Sequence, residues 1–228
     1  MVNNMFVFIL TKASIEPIPK KLWDHPAVQK WARVRRKHPS KMILDQAFHF
    51  SAIRKLKDYQ NRGRVDILHR ALLTILDSKL NKKGYIDAIV IHTIQDKYFI
   101  VNPEARLPRH YLRFLGLMED LLRKGKIETS EGKILIDQAN NIEDIAKKHN
   151  ITYMVCLETR GKQKRIAEAI PKQPQGNIGI IIGALPHGDI PRKFLETANE
   201  IISIGTEPLT TSYVLCRIII ELEQMLGI

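Results

Sequence analysis

The sequence predicts an α/β protein: a parallel sheet flanked by helices, with a basic segment inserted near its start. Three observations point there. From Lys133 onward, short apolar runs of strand length alternate with amphipathic stretches of helix length. That alternation builds parallel sheets covered on both faces. An uninterrupted apolar run, 5–10, opens the chain and reads as a buried strand. Positive charge is gathered in one region: residues 20–70 hold 14 Lys/Arg against 4 Asp/Glu, while the whole chain carries a net +12.

The 228 residues suggest one domain with an appendage, spanning 1–228 with a basic insertion at about 12–60. An apolar share of 44% and a mean hydropathy of −0.17 exclude disordered and membrane classes. No apolar run approaches the roughly 18 residues of a membrane span. The run 5–10 is too short for a secretory signal and lacks a cleavage site after it. A cytoplasmic protein is therefore expected. Cys156 and Cys216 each lie in an apolar stretch without a ligand-spaced partner, and read as two reduced core cysteines. The pI near 9.7 and the concentrated basic region argue for a polyanionic partner, nucleic acid before membrane, since no clean amphipathic face is present.

Between 12 and 40, four prolines (17, 19, 26 and 39) forbid one long helix, so the stretch reads as a loop or short appended element. Residues 66–76 form a helix, with Ile67, Leu68, Ala71, Leu72, Ile75 and Leu76 on one stripe and Asp66 placed to cap it. Strands at 86–92 and 98–101 are joined by the polar tip Gln95-Asp96-Lys97. Pro108 suits a first helical position for a helix over 110–122, which Gly125 stops. Strands then fall at 134–136, 151–157, 177–182 and 200–203, with helices at 141–148, 164–169, from about 191, and at 210–226.

Four constellations carry chemistry. Gly183-Ala184-Leu185-Pro186-His187-Gly188 follows an apolar strand, where α/β folds bind ligands. It lacks the Lys-Ser/Thr of a phosphate loop and the GxGxxG of a dinucleotide site. By itself it is equally an ordinary strand-to-helix turn. Ile204-Gly205-Thr206-Glu207-Pro208-Leu209 is a second loop of this kind, and Thr210 beside it suits a helix cap. With Leu157 at the end of a third strand, the two loops can form a pocket whose backbone groups and apolar faces suit an adenine. Arg64 and Asp66 flank a helix start, where the carboxylate can orient the guanidinium fork toward a phosphate or base edge. Arg109 and Arg113, spaced i and i+4, share a helix face; their mutual repulsion is easier to understand with an anion between them. Solvated basic faces account for the last two equally simply. His49, His69, His92 and His187 have no metal-ligand spacing, and read as core or surface histidines, so no metal is expected.

Taken together and in order, GRVDILHRALLTILDS, IHTIQDKYFIVNPEARLPRHYLRFLGLM, IGALPHGDI and IGTEPLTTSYVLCRII resemble the ribosome-biogenesis pseudouridine-N1-methyltransferase family of small-subunit ribosomal RNA. That family belongs to the knotted SPOUT methyltransferases. The resemblance runs from about Leu44 to the end. It implies a C-terminal trefoil knot, a homodimer, S-adenosylmethionine as methyl donor, small-subunit rRNA as substrate, and ribosomal proteins as further partners. By the family's motifs, the cofactor pocket falls on Leu157, Gly183, Gly188, Ile204, Gly205, Thr206, Glu207, Pro208 and Leu209. RNA contacts fall on Arg64, Arg106, Arg109 and Arg113, with Asp66 holding Arg64. Two departures stand out: Val65 replaces a proline common between the Arg and Asp, and Thr206-Glu207 replaces Asn-Tyr before Pro208-Leu209. Without a long polar N-terminal extension, the sequence is closer to an archaeal-type member.

The resemblance implies a splayed-out pseudouridine clamped by arginines, with Arg64 stabilising the ring anion and Asp66 the candidate proton acceptor. The alternative is a non-catalytic rRNA-binding assembly factor. A nucleotide-dependent dehydrogenase is disfavoured, because no glycine fingerprint follows the first strand.

Overall fold

An eight-stranded mixed sheet organises the protein, in the order β4-β5-β3-β2-β1-β7-β6-β8. The computed structural model describes residues 5–228. Strand β1 (Phe6–Ala13) lies at the centre, parallel to β2 (Ile86–Thr93) on one side and β7 (Asn177–Gly183) on the other. Beyond β7 lie β6 (Ile151–Gln163) and β8 (Glu200–Ser203), also parallel. The expected all-parallel sheet is thus corrected to a mixed one. On the β2 side, β3 (Tyr98–Val101), β5 (Ile134–Ala139) and β4 (Lys126–Glu128) run antiparallel to their neighbours. The reason is local: the tip at Gln95-Asp96-Lys97 is too short for a crossover, so β2 and β3 must form a hairpin. Asp96 takes the left-handed conformation there, with φ 62°.

The strands alternate their side chains between two cores. Phe6, Phe8 and Leu10 of β1 face one, with α3 (Val65–Asp77), α5 (Tyr111–Lys124) and α9 (Thr211–Met225). Val7 and Ile9 face the other, beneath α6 (Ile142–Lys148) and α8 (Arg192–Thr197). Two single-turn helices, α4 (Lys79–Lys82) and α7 (Ile166–Ala169), complete the first layer.

The basic segment is not a loop. It folds into α1 (Pro26–Arg35) and α2 (Gln46–Ile53), which enclose Ile18, Leu22, Val28, Met42, Leu44 and Ile53 in a third, smaller core. Proline opens α1 and a short 3₁₀ turn (Pro39–Lys41) before α2 instead of breaking them. Pro26 and Pro39 each take a first helical position, where a missing N–H costs nothing. Trp31 stacks on Phe48 at 3.7 Å between ring centres. Arg35 and Lys37 reach the buried Glu119 of α5 at 3.1 and 2.7 Å, so part of the positive charge is neutralised internally.

Other expectations need correcting. Asp66 does not cap α3; Arg64 occupies that position without a side-chain cap, and Asp66 sits in the first turn. Helix α5 begins at Tyr111, after His110, so Pro108 lies outside it. Arg109 therefore shares no helix face with Arg113, and it pairs instead with Asp77 at 2.9 Å. Cys156 is buried, but Cys216 is exposed on α9, whose inward stripe is Leu215, Ile218, Ile219 and Leu222. Among the described residues no helix is long and apolar enough to cross a membrane, and no His, Cys, Asp and Glu side chains cluster as metal ligands.

Candidate active site

The parallel register brings three strand ends level. Leu157 of β6 stands opposite Ile182 of β7 and Ile202 of β8. Past these residues the chains part and leave a small, open-mouthed cleft of about 130 Å³ at the strand ends, where α/β folds bind ligands. Leu157, Gly183, Gly188, Ile204, Gly205, Glu207, Pro208 and Leu209 all line it. Thr206, which the resemblance places in the same set, is exposed and stands outside the lining.

Short-range chemistry holds the cleft open. Gly188 has φ +94°, which a residue with a side chain rarely adopts. A Cβ on Gly183 would fall 2.7 Å from Leu185 Cδ2, and one on Gly205 would fall 3.2 Å from Leu209 Cδ1, so both glycines keep the walls thin. The Thr211 hydroxyl donates to the Gly183 carbonyl at 2.7 Å, fastening the start of α9 to the end of β7. Glu158 accepts from the Ile190 amide at 3.2 Å and joins the far end of the Gly188 loop to β6. Between Leu157 and Lys162 the strand bulges outward, since both residues pair with Ile202. Gly161 makes this possible; a Cβ there would lie 2.5 Å from the Ile202 carbonyl carbon.

A second, narrower groove adjoins the cleft. Arg64 and Arg70 form one wall, while Pro186, Thr210 and Ser212 contribute to the other. Leu185 and Thr211 line both hollows, so cleft and arginine groove are separated by single side chains. Arg64 grips Asp66 with two prongs, Nε at 2.8 Å and a terminal nitrogen at 3.0 Å, and Arg70 adds a third contact at 2.7 Å. Burial works against the Asp66 charge. The hydrogen bond and charge of Arg64, aided by Arg70, outweigh it and hold the carboxyl below its ordinary range. The same ion pair raises Arg64. Behind it, Ser14 accepts from the Arg64 amide at 3.1 Å.

A family model described as EMG1/NEP1 methyltransferase matches residues 8–223. The chain belongs to the EMG1/NEP1 methyltransferase family. Similar relatives include the ribosomal RNA small subunit methyltransferases Nep1 of Staphylothermus marinus and Saccharolobus solfataricus. They are 39% and 40% identical; each alignment covers 96% of this chain, with 96% and 97% of the relatives. The crystal structure of Archaeoglobus fulgidus Nep1 bound to S-adenosylhomocysteine is similar over 99% of both chains, with a TM-score of 0.84 at 35% identity. The resemblance drawn from the four motifs is therefore correct at the level of the family.

The remaining arginines lie apart from the cleft. Arg106 and Arg109 line a broad groove with Asp77, Asn81, Lys82 and Lys133. Arg113 is exposed on the first turn of α5. The exposed stripe of α3 connects the two basic regions: Asp66, Arg70 and Asp77 are i, i+4 and i+11, about 16 Å along the axis. Sequence reasoning missed Leu185 and Thr211 as lining residues, although both lie inside the quoted motifs. It also missed the bond between buried Asp45 and half-buried Tyr111, which no local pattern connects.

Proposed function

We propose that this chain transfers a methyl group from S-adenosylmethionine to N1 of a pseudouridine in small-subunit ribosomal RNA, in the course of ribosome biogenesis. One observation carries the reading: the cleft and the arginine groove share Leu185 and Thr211, so a donor in one hollow lies beside a base held in the other. The lining fits such a donor. Leu157, Ile202 and Val214 offer apolar faces for an adenine, and Glu158 and Glu207 supply negative charge beside a sulfonium. The related A. fulgidus protein was crystallised with the demethylated form of that donor.

Bound there, S-adenosylmethionine supplies an already activated methyl group. The protein's part is to hold the ring in line and stabilise its charge. N1 of the pseudouridine gives up its proton to solvent water, a new N–C bond forms as the C–S bond breaks, and the sulfonium sulfur leaves as the neutral thioether of S-adenosylhomocysteine. Arg64 faces the ring as it turns anionic. Asp66, held ionised by two arginines, is a weak proton acceptor, so its role is to aim Arg64. Arg106, Arg109 and Arg113 bind the RNA chain further along. Leu157, Gly183, Gly188 and residues 204–209 hold the cofactor, Thr206 through its backbone from the rim.

The same reading takes 1–228 as one methyltransferase domain with a basic insertion at about 12–60, in the cytoplasm, among ribosomal proteins. A C-terminal knot belongs to the same reading through membership of the family. A homodimer is supported by Leu209, Tyr213 and Ile220, large apolar residues left exposed on and before α9. The deciding experiment is Arg64→Ala, assayed by mass spectrometry of small-subunit RNA and by calorimetry with S-adenosylmethionine. Methylation should vanish with cofactor affinity unchanged; equal loss of both would overturn the assignment. Absence of any cofactor binding by the unaltered protein would favour an assembly factor without catalysis.

A further inference from the structure

Strands β1 and β7 are neighbours, but the chain leaves them in opposite directions. After β1 it crosses the α3 face to β2; after β7 it crosses the α8 face to β8, on the far side of β6. Where connections diverge in this way, a crevice opens at the carboxyl ends of the two strands. Here it is a groove bordered by Lys12 at the end of β1, Leu185 beyond β7, Gln95 of the hairpin tip, and Lys57, Asn61 and Arg62 of the appended segment. Leu185 is thus a wall of three hollows: this groove, the cofactor cleft and the arginine groove.

Charge distinguishes the groove. Arg62 is neutralised by the buried Glu16, on which it is a two-pronged donor, and Asp58 on the rim also faces Arg62. Lys12 and Lys57 have no ion pair among the described residues. Lys12 also stands in the left-handed region at φ 55°, uncommon for a residue with a side chain. Its amide is fixed in that turn by His92 Nδ1, at 3.2 Å. The neutral amides of Gln95 and Asn61 add hydrogen-bonding groups to its lining.

We infer that this crevice is a subsite for the ribose-phosphate of a nucleotide flanking the methylated one. Lys12 and Lys57 bind its phosphate, and Gln95 and Asn61 bind its ribose or base edge. The inference rests on the RNA reading above. It gives the appended segment a role: to close the outer side of the RNA path. A strand passing the target base between Leu185 and Arg64 enters or leaves through this groove.

The test is a set of Lys12→Gln, Lys57→Gln and double variants, with Lys12→Arg as the conservative control. Anisotropy of a labelled small-subunit RNA fragment is measured across a salt series, and methylation kinetics in parallel. Each Gln variant should lower the slope of log affinity against log salt by about 0.7. KM for RNA should rise several-fold with kcat and cofactor affinity unchanged, and Lys12→Arg should restore the slope. A fragment trimmed of its flanking nucleotides should bind the unaltered protein and the double variant alike. An unchanged slope and KM in the Lys57→Gln variant, whose exposed side chain leaves folding unaffected, would overturn the subsite. Because binding is read apart from turnover, failure of the methylation reading would leave this outcome visible.

Discussion

The Tyr111 hydroxyl donates to the carboxylate of Asp45, which is almost wholly buried, joining the appended segment to helix α5 across 66 residues of sequence. Asp45 also caps α2, accepting from the Ala47 amide at 2.7 Å. Burial raises its pKa, against the hydrogen bonds from Tyr111 and Ala47, which lower it. Tyr111→Phe should therefore cost about 1–3 kcal/mol at neutral pH, because a buried carboxylate loses a donor. The loss should shrink as pH falls and Asp45 takes up its proton. Urea unfolding of both proteins at neutral and acid pH checks this; an equal loss at both would refute it.

His49 and His92 set an acid limit on stability. Burial is the main cause that pulls each imidazole from its ordinary 6.5 to about 4. For His92, Lys193 and Lys12 add to the fall and Asp96 opposes it. The unfolded chain takes up these protons below 6.5, while the folded chain refuses them until about 4. Stability should thus decline as pH drops through that window, by up to roughly 3 kcal/mol for each histidine at its lower end. His92→Asn should flatten part of the slope. Thermal melts from pH 7 to 4 measure it.

Two glycines should respond in opposite directions. Gly161→Ala would force a methyl against the Ile202 backbone, a contact no flexible side chain can relieve. Loss of several kcal/mol or failure to fold is expected. Gly116, inside α5, has nothing within 4 Å of its missing Cβ. Gly116→Ala should raise stability by about 1 kcal/mol through helix propensity alone. Calorimetric unfolding of the pair decides whether the close approach at β8 is as intolerant as described.

Glu158→Ala should weaken S-adenosylmethionine binding while RNA affinity stays intact. The carboxylate both lines the cleft and receives the Ile190 amide, so its removal loosens the loop after Gly188. Calorimetry with the cofactor and anisotropy with RNA separate the two effects; parallel losses would point to general unfolding.

The parts legible in the sequence were those governed by short-range rules. The amphipathic stripe of α3, the hairpin at Gln95-Asp96-Lys97 and the ends of β7 and β8 follow from periodicity and turn chemistry, but β6 runs on past the expected end at Leu157 to Gln163, because the bulge at Gly161 lets it pair again with β8. The antiparallel half of the sheet was less legible, because β4 has only three residues and no alternation to detect. The appended helices were hidden by proline, which marks a break and a helix start equally well until the surrounding core is known. Arg109 was assigned to a helix face because its spacing to Arg113 fits one, but the helix starts two residues later. Leu185, common to three hollows, is one apolar residue in a loop, and only tertiary placement gives it that position.

The two cysteines differ in a way that is useful at the bench. Cys156 is sealed under the sheet and burial pushes its thiol up to about 12, whereas Cys216 lies open on the outer side of α9. The unaltered chain therefore offers a single sulfur to a maleimide dye or nitroxide while that face is open; Cys216 stands one turn from both Tyr213 and Ile220, so pairing of two chains through them would protect it. Spectroscopy on a probe there would report on the neighbourhood of the last helix without any engineering of the protein.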